Sequence, residues 1–164
     1  MGYSIEPISD SYRGFVDAQV AESWSGPFVE SMGVLHDTRT QNGFVAIENN
    51  EVKGYLLYNI IGEDFEITVL ESLLQGHGIG TALINAAIGA AKEAGCGRVW
   101  LTTSNDNTHA IRFYQRFGFD LKAVHINSLE EARKRKPQIP LFGNDGIPIK
   151  HEFEFTMPIK EERE

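Results

Sequence analysis

Three glycines at alternate positions are the feature that most restricts what this chain can form. Gly76, Gly78 and Gly80 stand in the stretch LLQGHGIGTALINAA, residues 73–87, where an apolar run gives way to a helical pattern. Glycine loses more backbone entropy on ordering than other residues, so its use here implies that another group approaches the backbone closely. The first turn of a helix offers unpaired N–H groups and the positive end of the helix dipole. An anion, most commonly phosphate, is therefore the expected ligand.

The rest of the chain is typical of one globular domain. It has 164 residues, of which 41% are hydrophobic and 23% charged, a balance that suits a single core. No apolar run is long enough to cross a bilayer. The N-terminal MGYSIEPIS lacks the basic segment and apolar stretch of a signal peptide. A cytoplasmic protein without membrane contacts is the resulting expectation.

The charge balance narrows the choice of partners. Lys and Arg number 15 against 23 Asp and Glu, a formal net charge of -8. This argues against a nucleic-acid-binding protein and favours a cationic small partner such as an amine.

The single cysteine, Cys96, excludes an internal disulfide and a cysteine-based zinc site, so no metal is expected.

Apolar spacing and turn residues predict alternating strands and helices. The segment with Gly26, Pro27 and Gly33 is predicted to be a loop, and ENNE, residues 48–51, a hairpin turn. The predicted strands are residues 3–8, 44–47, 52–60, 65–74, 98–103, 119–127 and 151–159. The predicted helices run from Ser9 or Asp10 to Trp24, from Ile79 to Gly95, and from the cap candidates Asn105 and Asn107 to Gly118. This order predicts a single mixed α/β domain spanning residues 1–164, without an internal repeat.

The segment at about 128–150 is less regular than the rest. LEEARKRKP predicts a short helix stopped by Pro137, and QIPLFGNDGIP an extended loop before the last strand. Glu130 and Glu131 precede the basic run 133–136 at helical spacing. That run is therefore interpreted as a solvated helix face rather than a binding patch.

Two common phosphate-binding motifs are excluded. A P-loop needs Gly-Lys-Ser/Thr after its spacers, and the chain has no such string. The dinucleotide pattern G-x-G-x-x-G fails because Thr81 stands where its last glycine is required.

Two other motifs match a known family. Q-x-x-G-x-G is present at residues 75–80, and further along the chain stand Asn107, Ala110, the pair Phe113-Tyr114 and the pair 118–119, Gly-Phe. On these motifs the chain resembles the GNAT superfamily of N-acetyltransferases. The strong part of the resemblance covers residues 40–127, and the long segment at 128–150 departs from the family.

The resemblance implies a fold and a cofactor. The expected fold is a central, mixed but mostly antiparallel sheet, splayed to admit acetyl-CoA and flanked by helices. The main-chain N–H groups expected to bind the pyrophosphate belong to Gln75, Gly76, His77, Gly78, Ile79, Gly80 and Thr81. Asn107 is expected to bond the pantetheine or phosphate arm, and the backbone near Leu70 the thioester oxygen. Tyr114 is expected near the sulfur, as a general acid.

An amine acceptor also needs a base, because an amine of lysine type has a pKa of about 10.4 and arrives protonated. In the family this base often comes from the strand before the loop, which here carries Asp64, Glu66 and Glu71. Period-two alternation puts Asp64 and Glu66 on one face and Glu71 on the other, unless a bulge intervenes. Glu66 is the predicted base.

The acceptor and the oligomeric state stay open. A small-molecule or peptide amine fits the resemblance, and a homodimer is one open arrangement. Trp24 and Phe28 are expected either to line the acceptor site or to pack in the core. A non-catalytic acyl-CoA sensor would keep the glycine loop and Asn107 but show no turnover. An interaction domain would use the glycines only for packing and would not bind acetyl-CoA.

Overall fold

Strands and helices alternate along the chain in a computed structural model, which describes residues 2–159. The strands are β1 Ser4–Pro7, β2 Phe28–Ser31, β3 Val34–Asp37, β4 Asn42–Glu48, β5 Glu51–Ile61, β6 Asp64–Ser72, β7 Arg98–Ser104, β8 Asp120–His125 and β9 Glu152–Pro158. The helices are α1 Asp10–Ser23, α2 Ile79–Glu93, α3 Thr108–Phe117 and α4 Ser128–Ala132.

Seven strands form the main sheet, in the order β1-β4-β5-β6-β7-β9-β8. Neighbours pair antiparallel except β6 and β7, which run parallel and pair only through residues 64–66 and 98–100. Past these residues a cavity lies between the carboxyl-terminal halves of the two strands. The predicted mixed, mostly antiparallel and splayed sheet is therefore confirmed.

Each face of the sheet has its own core. Helices α2 and α3 pack on one face through apolar side chains that include Leu83 and Tyr114. Helix α1 and strand β2 pack on the other face, where Val16 and Val20 meet the sheet. A Cβ at Gly54 would lie 2.6 Å from Cγ2 of Ile79, so this glycine lets α2 approach β5 closely. This packing holds the start of α2 against β5.

The hairpin β2–β3 replaces part of the predicted loop, and the prediction is wrong there. Strands β2 and β3 pair antiparallel across the two-residue turn Met32-Gly33. Both turn residues have positive φ, at 49° and 79°, as a two-residue hairpin requires. The strands are only four residues long, too short for a periodic pattern to identify them.

Within residues 2–159 no helix combines the length and apolar character needed to span a bilayer.

Candidate active site

Glycine is needed at the three alternate positions for different structural reasons. Gly76 and Gly78 have φ of 77° and 72°, the left-handed region that glycine enters without steric cost. Gly80 is helical, and a Cβ there would lie 3.3 Å from the ring of Phe113. The first two glycines shape the loop, while the third allows α2 and α3 to pack.

The loop before α2 presents free main-chain donors. Within residues 2–159 no acceptor bonds the N–H groups of residues 75–81, and the first bond into the helix runs from Ala82 N to the carbonyl of Gly78, at 3.0 Å. The hydroxyl of Tyr3 donates to the carbonyl of His77 at 2.9 Å and so ties the loop to the residue before β1. Because α2 is 15 residues long, its dipole adds to the attraction for an anion.

One cavity, the loop cavity, lies between this loop, the end of β6 and α3, with a volume of about 360 Å³. All but one of the predicted cofactor-binding residues line it: Leu70, Gln75, Gly76, Gly78, Ile79, Gly80, Thr81, Asn107 and Tyr114. The exception is His77, whose side chain is exposed.

A second cavity, the strand cavity, occupies the gap between β6 and β7, with a volume of about 270 Å³. Strand β2 and part of the 128–150 segment also line it. Leu70, Asn107 and Tyr114 line both cavities. Two bound molecules, one in each cavity, would therefore meet at these three residues.

Tyr114 is closely packed at this junction. It is 7% exposed, and its ring centroid lies 5.7 Å from that of Phe119 and 5.9 Å from that of Phe155. Burial raises the pKa of Tyr114 above its usual 10.0. The phenol therefore stays protonated at neutral pH, as a proton donor must.

Asn107 has a structural task as well as a place in both cavities. It is the N-cap of α3, as predicted, and its Oδ1 accepts from the N–H of Ala110 at 3.2 Å. The cap occupies the oxygen and fixes the side chain, so the amide NH₂ is the group that remains to donate to a ligand.

A β-bulge at Thr68 overturns the alternation argument for the carboxylates of β6. Leu57 of β5 pairs with Val69 but the next residue pairs with Ile67, which leaves Thr68 as the extra residue. Glu71 consequently points to the same face as Glu66, toward α1. There it accepts from Ser23 at 3.1 Å and from Tyr55 at 2.5 Å, so it ties α1 to the sheet.

Of the other two carboxylates, Asp64 binds Arg98 at 2.9 Å, at the paired end of β6 and β7. Glu66 is 5% exposed and lines neither cavity. Its Oε2 accepts from the hydroxyl of Ser31 at 2.6 Å, and its Oε1 lies 3.4 Å from Nε2 of His36. Glu66 therefore has no direct contact with the space where an amine would bind.

Two hydroxyl groups connect Glu66 to the strand cavity. The Ser31 oxygen lies 3.0 Å from Oγ1 of Thr102, and both residues line that cavity. Since Ser31 donates its one proton to Glu66, Thr102 is the donor in the second bond. The order Thr102, Ser31, Glu66 is a path along which protons can move from the cavity to a buried carboxylate.

The basic run 133–136 is not a solvated helix face, and this interpretation is wrong. Lys136 is 7% exposed, and its ammonium group donates to the carbonyls of Trp24 and Phe28. Burial lowers the pKa of Lys136. Arg133 donates to three carbonyls of the same segment, including that of Ile149 at 2.5 Å.

The reason is that α4 ends at Ala132, so the run that follows turns back onto backbone carbonyls instead of continuing a helix. Arg135 pairs with Glu30 at 2.5 Å, and only Lys134 forms the predicted exposed pair, with Glu131 at 3.0 Å. No periodic signal in the sequence could reveal these contacts.

The 128–150 segment is anchored beside Asn107. Asp106 accepts from the hydroxyl of Ser104 at 2.5 Å and from the N–H of Asn144 at 3.0 Å. A Cβ at Gly143 would lie 2.0 Å from Oδ2 of Asp106, so a larger residue there would displace the Asp106 side chain. The segment therefore closes the strand cavity as a fixed wall.

Trp24 and Phe28, for which the sequence left both a cavity and a core position open, lie in different environments. Trp24 lines the strand cavity and also packs against the core on the α1 side. Phe28 is 37% exposed, does not line that cavity, and has the guanidinium of Arg39 5.6 Å from its ring centroid.

Within residues 2–159, no group of three or more His, Cys, Asp or Glu side chains could hold a metal ion.

Comparisons with known proteins agree on one family. The profile of the acetyltransferase (GNAT) family matches residues 9–119. The uncharacterised protein YdhI of Bacillus subtilis is 39% identical over 140 residues, which are 85% of this chain and 88% of the relative. Spermine/spermidine N(1)-acetyltransferase of the same organism is 27% identical over 73% of this chain and 88% of its own. A GNAT family acetyltransferase from Elizabethkingia anophelis, solved with acetyl-CoA bound, superimposes with a TM-score of 0.69 at 18% identity, covering 96% of this chain and 98% of that one.

Proposed function

Because this chain belongs to the acetyltransferase (GNAT) family, we propose that it transfers an acetyl group from acetyl-CoA directly to a primary amine of a small molecule or peptide. The observation that carries the proposal is the meeting of the loop cavity and the strand cavity at Leu70, Asn107 and Tyr114. An acyl donor in the first cavity and an amine in the second would be adjacent there, in one ternary complex.

Residues of the loop cavity hold the donor in this proposal. The N–H groups of residues 75–81 bind the pyrophosphate, and the absence of another acceptor for them within residues 2–159 supports this role. The Asn107 amide bonds the pantetheine or phosphate arm, and the backbone N–H near Leu70 donates to the thioester oxygen. When bound, acetyl-CoA supplies an activated acyl group.

Residues at the junction and in the strand cavity move the protons. The amine nitrogen forms a bond to the acyl carbon as the bond from that carbon to sulfur breaks, and Tyr114 gives its phenolic proton to the departing sulfur. The acceptor arrives as an ammonium ion and loses two protons in all. The first passes to Thr102 as the Thr102 proton moves to Ser31 and the Ser31 proton moves to Glu66. The second, released when the carbon–nitrogen bond forms, restores the Tyr114 phenol. Glu66 is thus the terminal base, acting through two hydroxyl groups.

The comparisons leave the acceptor of this chain undetermined. The relative at 27% identity is named for spermine and spermidine, which agrees with a small amine. The formal net charge of -8 also favours a cationic acceptor. We propose the cytoplasm as its location, since a single buried cysteine suits a reducing compartment.

A calorimetric titration with acetyl-CoA tests the proposal, with dephosphorylated pantetheine as the control that lacks the pyrophosphate. We expect micromolar binding of acetyl-CoA that is largely lost with the control, followed by thiol release when amines are added. Binding without thiol release from any amine would instead indicate a non-catalytic acyl-CoA sensor. No binding would indicate an interaction domain in which the glycines serve packing.

A further inference from the structure

Two buried carboxylates of the strand cavity each have an oxygen without a partner. Glu152 is 3% exposed, and its Oε2 accepts from the N–H of Met32 at 3.3 Å. The Glu30 side chain is 2% exposed, and its Oε1 accepts from Arg135 at 2.5 Å. Oε1 of Glu152 and Oε2 of Glu30 are buried and bond no group within residues 2–159. Because buried charged oxygens need donors, these two atoms call for a donor that residues 2–159 do not supply.

The cations near the strand cavity are already committed to other acceptors. Lys136 is the one cation among the described residues lining the cavity, and its ammonium group donates to the carbonyls of Trp24 and Phe28. Arg135 donates to the opposite oxygen of Glu30. Glu30 and Glu152 therefore both line the cavity, and each has one buried oxygen that no cation of residues 2–159 bonds.

These carboxylates are not among the residues of the junction that the reacting amine must reach. An amine that attacks the acyl group has to reach the junction at Leu70 and Tyr114, whereas Glu30 and Glu152 line only the strand cavity and not the loop cavity. The attacking nitrogen must also be neutral, so it cannot supply the positive charge that the carboxylates require.

Resting on the proposed function, we infer that the acceptor is a small dication, with one amine acetylated at the junction and a second cationic group bound by Glu152 and Glu30. An α,ω-diamine is the simplest molecule of this class. Glu152 is the main specificity-determining residue, because Arg135 partly neutralises Glu30. The second cation would also orient the first amine toward Tyr114, since both ends of the molecule are then held.

Thiol release with two matched amines tests the inference. The probes are 1,5-diaminopentane and pentylamine, which share a carbon chain and differ by one charged group. We expect the wild-type protein to prefer the diamine in kcat/KM. Glu152→Gln should reduce that preference by about 10- to 100-fold, the range expected for hydrogen bonds to a charged group, and Glu30→Gln should reduce it less. Glu93→Gln, an exposed glutamate of α2, removes the same charge and should leave the preference unchanged.

The outcomes separate this inference from the proposed function. Equal kcat/KM for the two amines in the wild-type protein would overturn the inference while the transferase activity stands. Equal losses for both amines in Glu152→Gln would also overturn it, because Glu152 would then act on the reacting amine. No thiol release from any amine would overturn the proposed function. In that case, calorimetric binding of 1,5-diaminopentane to the wild-type protein and its loss in Glu152→Gln would still support the dication site, and no binding would overturn it.

Discussion

The hydroxyl of Ser31 donates a hydrogen bond to the buried carboxylate of Glu66 across 2.6 Å, which joins the β2–β3 hairpin to the central strand β6. If this bond is part of the proton path, Ser31→Ala should lower kcat by about 100-fold at neutral pH. The deficit should shrink toward pH 10, because the free amine then forms in solution without help. A pH series of kcat measures both effects.

Ser4→Ala is the control for this prediction, because it removes an exposed Ser–Glu bond of 2.9 Å, that to Glu6, away from both cavities. Its kcat should equal that of the wild-type protein. A loss of kcat in Ser31→Ala that is the same at every pH would contradict the relay and indicate a purely structural bond.

Tyr114→Phe should lower kcat by about 100-fold and change the Kd of acetyl-CoA by less than about threefold. The ring contacts with Phe119 and Phe155 persist in this variant, and only the proton donor is lost. Tyr58→Phe is the matched control, since Tyr58 also stacks on a core ring, that of Phe65, but lines neither the loop cavity nor the strand cavity. An unchanged kcat in Tyr114→Phe would remove Tyr114 as the acid.

Gly78→Ala should weaken acetyl-CoA binding at least tenfold. Its φ of 72° costs an alanine roughly 1–2 kcal/mol, and relief of that strain would move the N–H groups of the loop. Gly89→Ala serves as the control, because Gly89 lies within α2, the helix that Gly78 precedes, without a positive φ and with open space around it. That control should raise the free energy of unfolding by about 0.5–1 kcal/mol. Equal calorimetric affinities for the wild-type protein and Gly78→Ala would refute the phosphate-binding role.

Lys136→Met should destabilise the protein by about 1–3 kcal/mol, because the carbonyls of Trp24 and Phe28 would lose their donor. Lys134→Met, which removes an exposed pair with Glu131, should change the free energy of unfolding by less than about 0.5 kcal/mol. Urea denaturation of both variants measures the difference. Equal stabilities of the two would show that Lys136 does not support the wall of the strand cavity.

The same lysine predicts a pH dependence of stability. Burial lowers the pKa of Lys136 in the folded protein below its usual 10.5, so at high pH the unfolded chain binds more protons at this site. The free energy of unfolding of the wild-type protein, relative to Lys136→Met, should therefore rise as the pH rises toward 10.5. A relative stability that falls over this range would contradict the assigned shift.

What the sequence determined by itself is local. The entry to α2 at Ile79 after two left-handed glycines and the cap of α3 by Asn107 follow from residues within a few positions of one another. The same short motifs carry the resemblance to the GNAT superfamily, which the family match over residues 9–119 confirms. Such features are readable because helix termini and left-handed turns depend on the chemistry of adjacent residues.

Only the tertiary structure decided how the strand cavity is built. The bulge at Thr68 turned Glu71 to the face of Glu66, and the fold brought Glu152 to Met32 and Lys136 to Trp24, which are 120 and 112 residues apart in the chain. A periodic pattern states which face of an element is apolar, but it carries no information on which distant element will cover that face. Bulges and buried polar contacts form where such distant elements pack together. The glycine loop before α2 was therefore predictable from the sequence, and the construction of the strand cavity was not.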